Sequence, residues 1–354
     1  MSPLTDILKA RIAADGPISL HDYMTLALSH PLHGYYTAAE PFGPEGDFLT
    51  APEAGQMFGE LIGLWAIDVW MKLGSPETFL LIEMGPGNGT LMGDALRSAR
   101  LMPEFLKAAD IRLIEMSPRL QKKQATLLAG YDVKWQESLA DLPEAPIILI
   151  ANEFFDALPI HQYVRTGTKW RERCVTHDGT DFKFTLSLDS VDVGPAPDGA
   201  EGDILESCPM GEALIAEISD RLHISRGAAL IIDYGPAEKI MGDSFQAVRK
   251  HRHAAPLSRP GEQDLTAHVK FATLKRIAEA HGIEVHGPTP QGLFLERLGI
   301  EARHHLLRQK ADEAQRKALD AQLRRLTSAE EMGTLFKAMA LAHNMPTSPE
   351  GFGN

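Results

Sequence analysis

One segment, FLLIEMGPGNGTLMGDALR at 79–97, restricts what the rest of this chain can fold into. Phe79 to Ile82 is a short uninterrupted apolar run, the pattern of a strand buried on both faces. Gly85, Gly87 and Gly89 follow at alternate positions. Glycine adopts backbone angles other residues avoid and carries no Cβ, so this turn can bend tightly and let a ligand approach. Thr90 to Arg97 then reads as a helix. A strand entering a helix through a glycine turn is the opening unit of a parallel α/β sheet, whose ligands bind beyond the carboxyl ends of its strands.

Glu83 separates the candidate ligands. A dinucleotide fold aims its turn and helix N-terminus at a pyrophosphate, which a carboxylate at the strand end would repel. Glu83 therefore favours a ligand with a cationic group. The dinucleotide fingerprint G-x-G-x-x-G would also need a glycine where this chain has Thr90. S-adenosyl-L-methionine (SAM) carries an α-amino group and no phosphate, so it suits this turn better than NAD. A glycine-rich turn without a ligand is the competing explanation if the segment is taken alone.

At 354 residues, 44% hydrophobic and 23% charged, the composition is that of a soluble globular protein with one large or two moderate domains. A net charge of -13 argues against a nucleic-acid partner. Cys174 and Cys208 are the only cysteines, too few for a disulfide framework or a thiolate metal site. His30 with His33 and His251 with His253 lack accompanying carboxylates or thiolates, so no metal is expected. No apolar run is long enough for a membrane span, and the N-terminus resembles neither a signal nor a transit peptide. Cytoplasmic residence is the resulting expectation; the oligomeric state is not readable.

Residues 1–50 read as a helical cap, with helices over Leu4–Ala14 and Ser19–Leu28 and a loop from His30 to Gly46. A mostly apolar helix over 53–73 leads into the glycine motif. Strands at Ile111–Glu115, Val133–Trp135, Ile147–Ile150 and Ala228–Ile232, with helices at Pro118–Leu128 and Gly211–Ile224, extend a doubly wound core over 51–300. Alternating residues from Gln162 to Leu188 predict antiparallel hairpins, an insertion at about 162–225, with an exposed loop over Val191–Gly202. Residues 301–325 and 329–342 read as a C-terminal helical segment filling 301–354.

Four strand ends carry acids. Glu115 lies 30 residues beyond Gly85, where an acid can accept hydrogen bonds from ribose hydroxyls; an ordinary loop acid is the alternative. In ANEFFDALP, Asn152, Glu153 and Asp156 surround Phe154 and Phe155, groups able to orient a methyl acceptor. Core rings with helix-capping acids are the alternative there. Asp233 ends the strand of IIDYG. Thr50 and Glu53 precede the helix before the glycine motif, within reach of a cofactor, unless Thr50 is only a helix N-cap. The basic segment at 249–259, with Arg249, Lys250, Arg252 and His253, reads as a solvated loop, a docking patch or an anion site.

Together HPLHGYY (30–36), GDFLTAPEAGQMFGELIGLW (46–65), EMGPGNGTLMGD (83–94), ANEFFDALPIHQ (151–162), IDYG (232–235), DLTAHVKF (264–271) and PTPQGLFLERLGI (288–300) resemble the MidA-like SAM-dependent methyltransferase family. Its relatives include a mitochondrial assembly factor that methylates an arginine of a respiratory complex I subunit. The resemblance implies a class I (Rossmann-like) α/β methyltransferase sheet, a SAM cofactor and a protein substrate methylated on arginine. It implies that Glu83, Gly85, Gly87 and Gly89 hold the methionine part of SAM and Glu115 the ribose. Asn152 and Glu153 would lie near the transferred methyl, with Asp156 or Asp233 helping to fix the guanidinium during direct in-line transfer. The paired-glutamate loop of the main protein arginine methyltransferases is absent from this sequence. A non-catalytic SAM-binding assembly factor and an NAD-dependent oxidoreductase on the same sheet remain alternatives, the latter opposed by Glu83 and Thr90.

Overall fold

The computed structural model describes residues 2–38, 50–194, 199–238, 240–250 and 252–353. The end of the predicted His30–Gly46 loop, the start of the 46–65 motif, part of the Val191–Gly202 loop and His251 lie outside them. The chain forms two compact units: 1–48, 156–212 and 239–268 make one, and 49–155, 213–238 and 269–354 the other. The N-terminal helices and the β-rich insertion, read from sequence as separate regions, thus belong to one unit, while the C-terminal segment belongs with the glycine motif.

The second unit is built on a sheet whose described strands are β1 (Phe79–Met84), β2 (Ala109–Ile114), β3 (Val133–Gln136), β4 (Ile147–Asn152), β5 (Gly227–Tyr234), β6 (Glu284–Pro290) and β7 (Phe336–His343). Their order across the sheet is β6-β7-β5-β4-β1-β2-β3. From β5 to β3 every pairing is parallel, whereas β7 runs antiparallel between β5 and β6. Strands β1, β4 and β5 are buried at every position, as their unbroken apolar runs require. Because the order reverses between β1 and β4, a crevice is expected at their carboxyl ends, where the glycine turn lies.

Helix Gln56–Lys72 packs on Thr90–Ala99 through two glycines. A Cβ on Gly59 would stand 2.6 Å from Asp94 Cβ, and one on Gly63 2.4 Å from Ser98 Oγ. Beside this contact the buried Glu60 binds Arg97 at 3.1 Å and Arg303 at 2.7 Å, so the carboxylate is paired by two guanidinium groups. Leu61, Ile62, Trp65 and Val69 join Phe79, Leu81, Ile148 and Leu230 in one core.

Residues 329–342 were expected to be helical, but only the short helix Met332–Leu335 is, and the chain from Phe336 on is strand β7. Their Ala, Met and Leu favour helix, but Phe336–His343 pairs along its length with β5 and is buried nearly throughout, so sheet pairing overrides local propensity. Strand β6 carries Pro288 and Pro290 and gave no strand signal. It is an edge strand with a register shift between His286 and Thr289, a setting that tolerates proline. The charged stretch 301–325 breaks into Ile300–Gln309 and Glu313–Thr327, the latter started by an Asp312–Gln315 capping box.

In the first unit, strands Lys169–His177, His161–Thr166, Phe182–Val191 and Ile204–Ser207 form the expected antiparallel sheet, with Ile18–Ser19 on its edge. Leu4, Leu8, Tyr23, Met24, Ile160 and Val175 share its core. The basic segment forms a ribbon of Gln246–Arg249 against Arg252–Ala254, paired on its other side with Asp264–Thr266.

Candidate functional site

In the second unit, Glu83 is 3% exposed near the end of β1. Burial pushes its carboxyl up to about 8, opposed by the Met92 backbone N–H and reinforced by Glu115. Its Oε2 is buried without a hydrogen-bond partner among the described residues. Gly85, Gly87 and Gly89 have φ of 60°, 53° and 85°, the left-handed region that favours glycine. At Gly85 space is also a constraint, since a Cβ would lie 2.5 Å from Phe154 Cδ2.

The segment preceding helix Gln56–Lys72 is fastened to this turn. Glu53 Oε1 accepts from Asn88 Nδ2 at 3.2 Å and from Thr90 Oγ1 at 2.7 Å. The threonine that breaks the dinucleotide fingerprint is thus an anchor for Glu53. Thr50 stands at the N-cap position of helix Ala51–Ala54, but its hydroxyl makes no capping bond.

At the end of β2, Glu115 Oε1 accepts from the Ser117 backbone N–H at 2.8 Å and Oε2 from Gln124 Nε2 at 3.1 Å. Burial raises its pKa, and these two bonds together with the Met116 backbone N–H oppose the rise. Gln124, on helix Pro118–Leu127, is fully buried and also reaches back to the glycine turn, donating to the Gly87 carbonyl at 2.8 Å. Sequence reading missed it, because a glutamine in KKQATLL looks like any polar helix residue.

Beyond β4 the chain turns sharply at Glu153, a non-glycine residue with φ 49°. Asp233, fully buried near the end of β5, holds this turn. Its Oδ2 accepts from the N–H groups of Phe154 at 3.1 Å and Phe155 at 2.9 Å, and its Oδ1 from that of Tyr234 at 2.9 Å. The turn presents Glu153, whose Oε1 accepts from the Ala51 N–H at 2.8 Å and from Asn152 Nδ2 at 3.3 Å. Both bonds fall on the same oxygen, and among the described residues none falls on Oε2. Burial pushes Glu153 up to about 7, opposed by the Ala51 and Asn152 bonds and by Arg325. Asn152 Oδ1 is buried and unpartnered among the described residues.

Asn152, Glu153 and Asp233 are therefore brought to two neighbouring strand ends, β4 and β5. Asp156, the next residue after Phe155, is counted in the other unit, where its carbonyl accepts from the Ala267 N–H at 2.9 Å. Among the described residues, no group of three or more His, Cys, Asp or Glu is arranged to hold a metal, and no helix is long and apolar enough to cross a membrane.

The donor and acceptor set fits SAM. Oε2 of Glu83, Oδ1 of Asn88 and Oδ1 of Asn152 are buried acceptors without partners among the described residues, and each stranded acceptor costs about 1–3 kcal/mol. An ammonium group relieves that cost where a phosphate would add repulsion. The glycine turn supplies the close backbone approach that such a ligand needs.

Comparison with known proteins agrees. A family profile of S-adenosyl-L-methionine-dependent methyltransferases matches residues 61–289. The mitochondrial protein arginine methyltransferase NDUFAF7 homolog of Drosophila melanogaster is 36% identical, the match covering 94% of this chain and 83% of the relative. The human mitochondrial protein arginine methyltransferase NDUFAF7 is 34% identical over 96% of this chain and 83% of its own length. A crystal structure of a Burkholderia thailandensis protein bound to S-adenosyl-homocysteine superposes with a TM-score of 0.84 at 26% identity, covering 99% of this chain and 94% of that one. Cytoplasmic residence, expected from the N-terminus, is overturned: the relatives from fly, cow and human are named as mitochondrial proteins.

Proposed function

This chain belongs to the family of S-adenosyl-L-methionine-dependent methyltransferases, and from that premise we propose that it methylates an arginine side chain of a protein. The acceptor would be a respiratory complex I subunit or a related assembly target. The observation that carries this reading is the likeness, over nearly the whole chain, to relatives named protein arginine methyltransferases.

SAM, when bound, supplies a methyl group activated on a sulfonium. Glu83 and the turn Gly85–Gly89 would hold its amino-acid part and Glu115 its ribose, with Glu53 steadying the turn through Asn88 and Thr90. Thr50, whose hydroxyl is not engaged in capping, is a further candidate contact.

On the acceptor side the reading rests on Asn152 and Glu153. Fixing Oε1 of Glu153 aims the carboxylate and leaves Oε2 for a guanidinium N–H, and Asn152 Oδ1 offers a second acceptor. A guanidinium nitrogen that gains a methyl must lose one proton, and a carboxylate raised to about 7 is suited to take it near neutral pH. Asp233 serves by shaping the turn, since its oxygens are occupied by backbone N–H groups. Asp156 follows this turn directly and is a second candidate for the guanidinium.

The test is transfer of labelled methyl from SAM into protein in a lysate, with mass spectrometry of methylated arginines. Glu153→Gln and Asp156→Asn are compared with the parent while SAM binding is followed by calorimetry. Label on arginine, lost in Glu153→Gln with SAM binding intact, supports the proposal. Label on another residue type refutes the arginine assignment, and unaltered transfer by Glu153→Gln refutes the role of Glu153.

A further inference from the structure

We infer that Gln124 is a positioning residue that sets the Glu115 carboxylate for a ribose diol and thereby contributes to discrimination between ribose and deoxyribose ligands. The inference rests on the reading that Glu115 takes the ribose hydroxyls.

The amide of Gln124 is fully buried and every group it offers is used. Nε2 donates one hydrogen to the Gly87 carbonyl at 2.8 Å and the other to Glu115 Oε2 at 3.1 Å, and Oε1 accepts from Trp135 Nε1–H at 2.7 Å. An indole N–H can only donate, so Trp135 determines which end of the amide carries oxygen. A flipped amide would turn its NH2 on the indole N–H and its oxygen on two acceptors. The orientation is thus fixed from β3, passed through one side chain, and imposed on the strand end of β2 and on the glycine turn after β1.

For Glu115 the consequence is directional. The Ser117 N–H binds Oε1 and Gln124 binds Oε2, so both oxygens are held in place, with the Met116 N–H a further backbone donor to the same carboxylate. A carboxylate pinned on both oxygens can receive two adjacent hydroxyls without first losing rotamer freedom, which is preorganisation of a binding group. Gln124 packs against the turn as well, since a Cβ on Gly89 would lie 3.3 Å from its Cγ.

The experiment measures the affinity of the full chain for S-adenosyl-homocysteine and for its 2′-deoxyribose analogue by calorimetry. The variants are Gln124→Met, Trp135→Phe and Glu115→Gln. Gln124→Met keeps the length of the side chain and removes its donors. It is expected to weaken S-adenosyl-homocysteine about tenfold and the deoxy analogue less than threefold, in line with loss of an oriented charge-assisted hydrogen bond. Trp135→Phe frees the amide orientation and should shrink the ribose preference in the same direction by about threefold, which keeps the test decisive if Gln124→Met does not fold. Equal weakening of both ligands by the Gln124 and Trp135 variants signifies a purely structural role and overturns the inference. If Glu115→Gln abolishes the preference while both of these variants keep it, the assignment of Gln124 alone fails. If Glu115→Gln keeps the preference, the ribose reading of Glu115 fails first.

Discussion

If Glu83 holds the ligand's ammonium group as proposed, binding is expected to be coupled to proton release. Burial moves its carboxyl from an ordinary 4.5 to about 8, a shift that corresponds to about 5 kcal/mol between the protonated and ionised forms. Because the folded value is the raised one, the stabilising contribution is fully present below about pH 4.5 and is lost as pH rises through about 8. The free protein is therefore expected to hold a proton on Glu83 at neutral pH. An ammonium group placed against the unpartnered Oε2 favours the ionised form and lowers this pKa, so S-adenosyl-homocysteine should expel about one proton on binding. Its association constant is expected to rise up to about tenfold per pH unit between pH 6 and 7.5 and to level above about 8. Calorimetry in buffers of different ionisation enthalpy measures the proton count directly. In Glu83→Gln both the proton release and the pH slope should disappear, with weaker binding at pH 8. A parent protein that binds S-adenosyl-homocysteine with the same affinity at pH 6 and 8 and releases no proton would refute the placement of the ligand's cation on Glu83.

Three further outcomes test neighbouring parts of the site. Gly85→Ala combines a φ of 60° with a Cβ 2.5 Å from Phe154 Cδ2; about 1–2 kcal/mol of backbone strain and a displaced ring should lower S-adenosyl-homocysteine affinity at least about tenfold while circular dichroism stays unchanged. Asp233→Asn must turn its NH2 toward one of three backbone donors, so a loss of about 2–4 kcal/mol is expected in urea unfolding, and a loss below about 1 would show that the carboxylate does not hold the turn. Glu153, raised to about 7 by burial, should give methyl-transfer rates that climb as pH rises through 7 and saturate above about 8. In Glu153→Gln the rate should be at least about a hundredfold lower and flat over that limb, and a parent rate that falls with pH across this window would exclude Glu153 as proton acceptor.

Much of the parallel sheet was legible because strands buried on both faces leave an unmistakable apolar run: Phe79–Ile82, Ile147–Ile150 and Ala228–Ile232 all lie within observed strands. The antiparallel edge of the same sheet was not. Phe336–His343 is composed of helix-favouring residues and becomes a strand only because β5 and β6 flank it, and β6 hides its strand character behind two prolines. Acids at strand ends could be picked out one by one, but spacing along the chain does not say which oxygen is occupied. Asp233 looked like Glu153 in that respect, yet the first is closed off by three backbone N–H groups and the second keeps one oxygen open.

By itself the sequence determined the local unit after Phe79: a buried strand, an acid that prefers a cation, and glycines that let the backbone turn. These are properties of neighbouring residues, set by sterics and charge at short range. Only the tertiary structure decided what that unit is connected to, with Thr90 anchoring Glu53 and Gln124 tying the turn to Glu115, and the loop after β4 fixed by Asp233 from β5. Hydrogen bonds of a few ångströms between residues tens of positions apart depend on strand order and register, and those follow from how the whole apolar surface is buried.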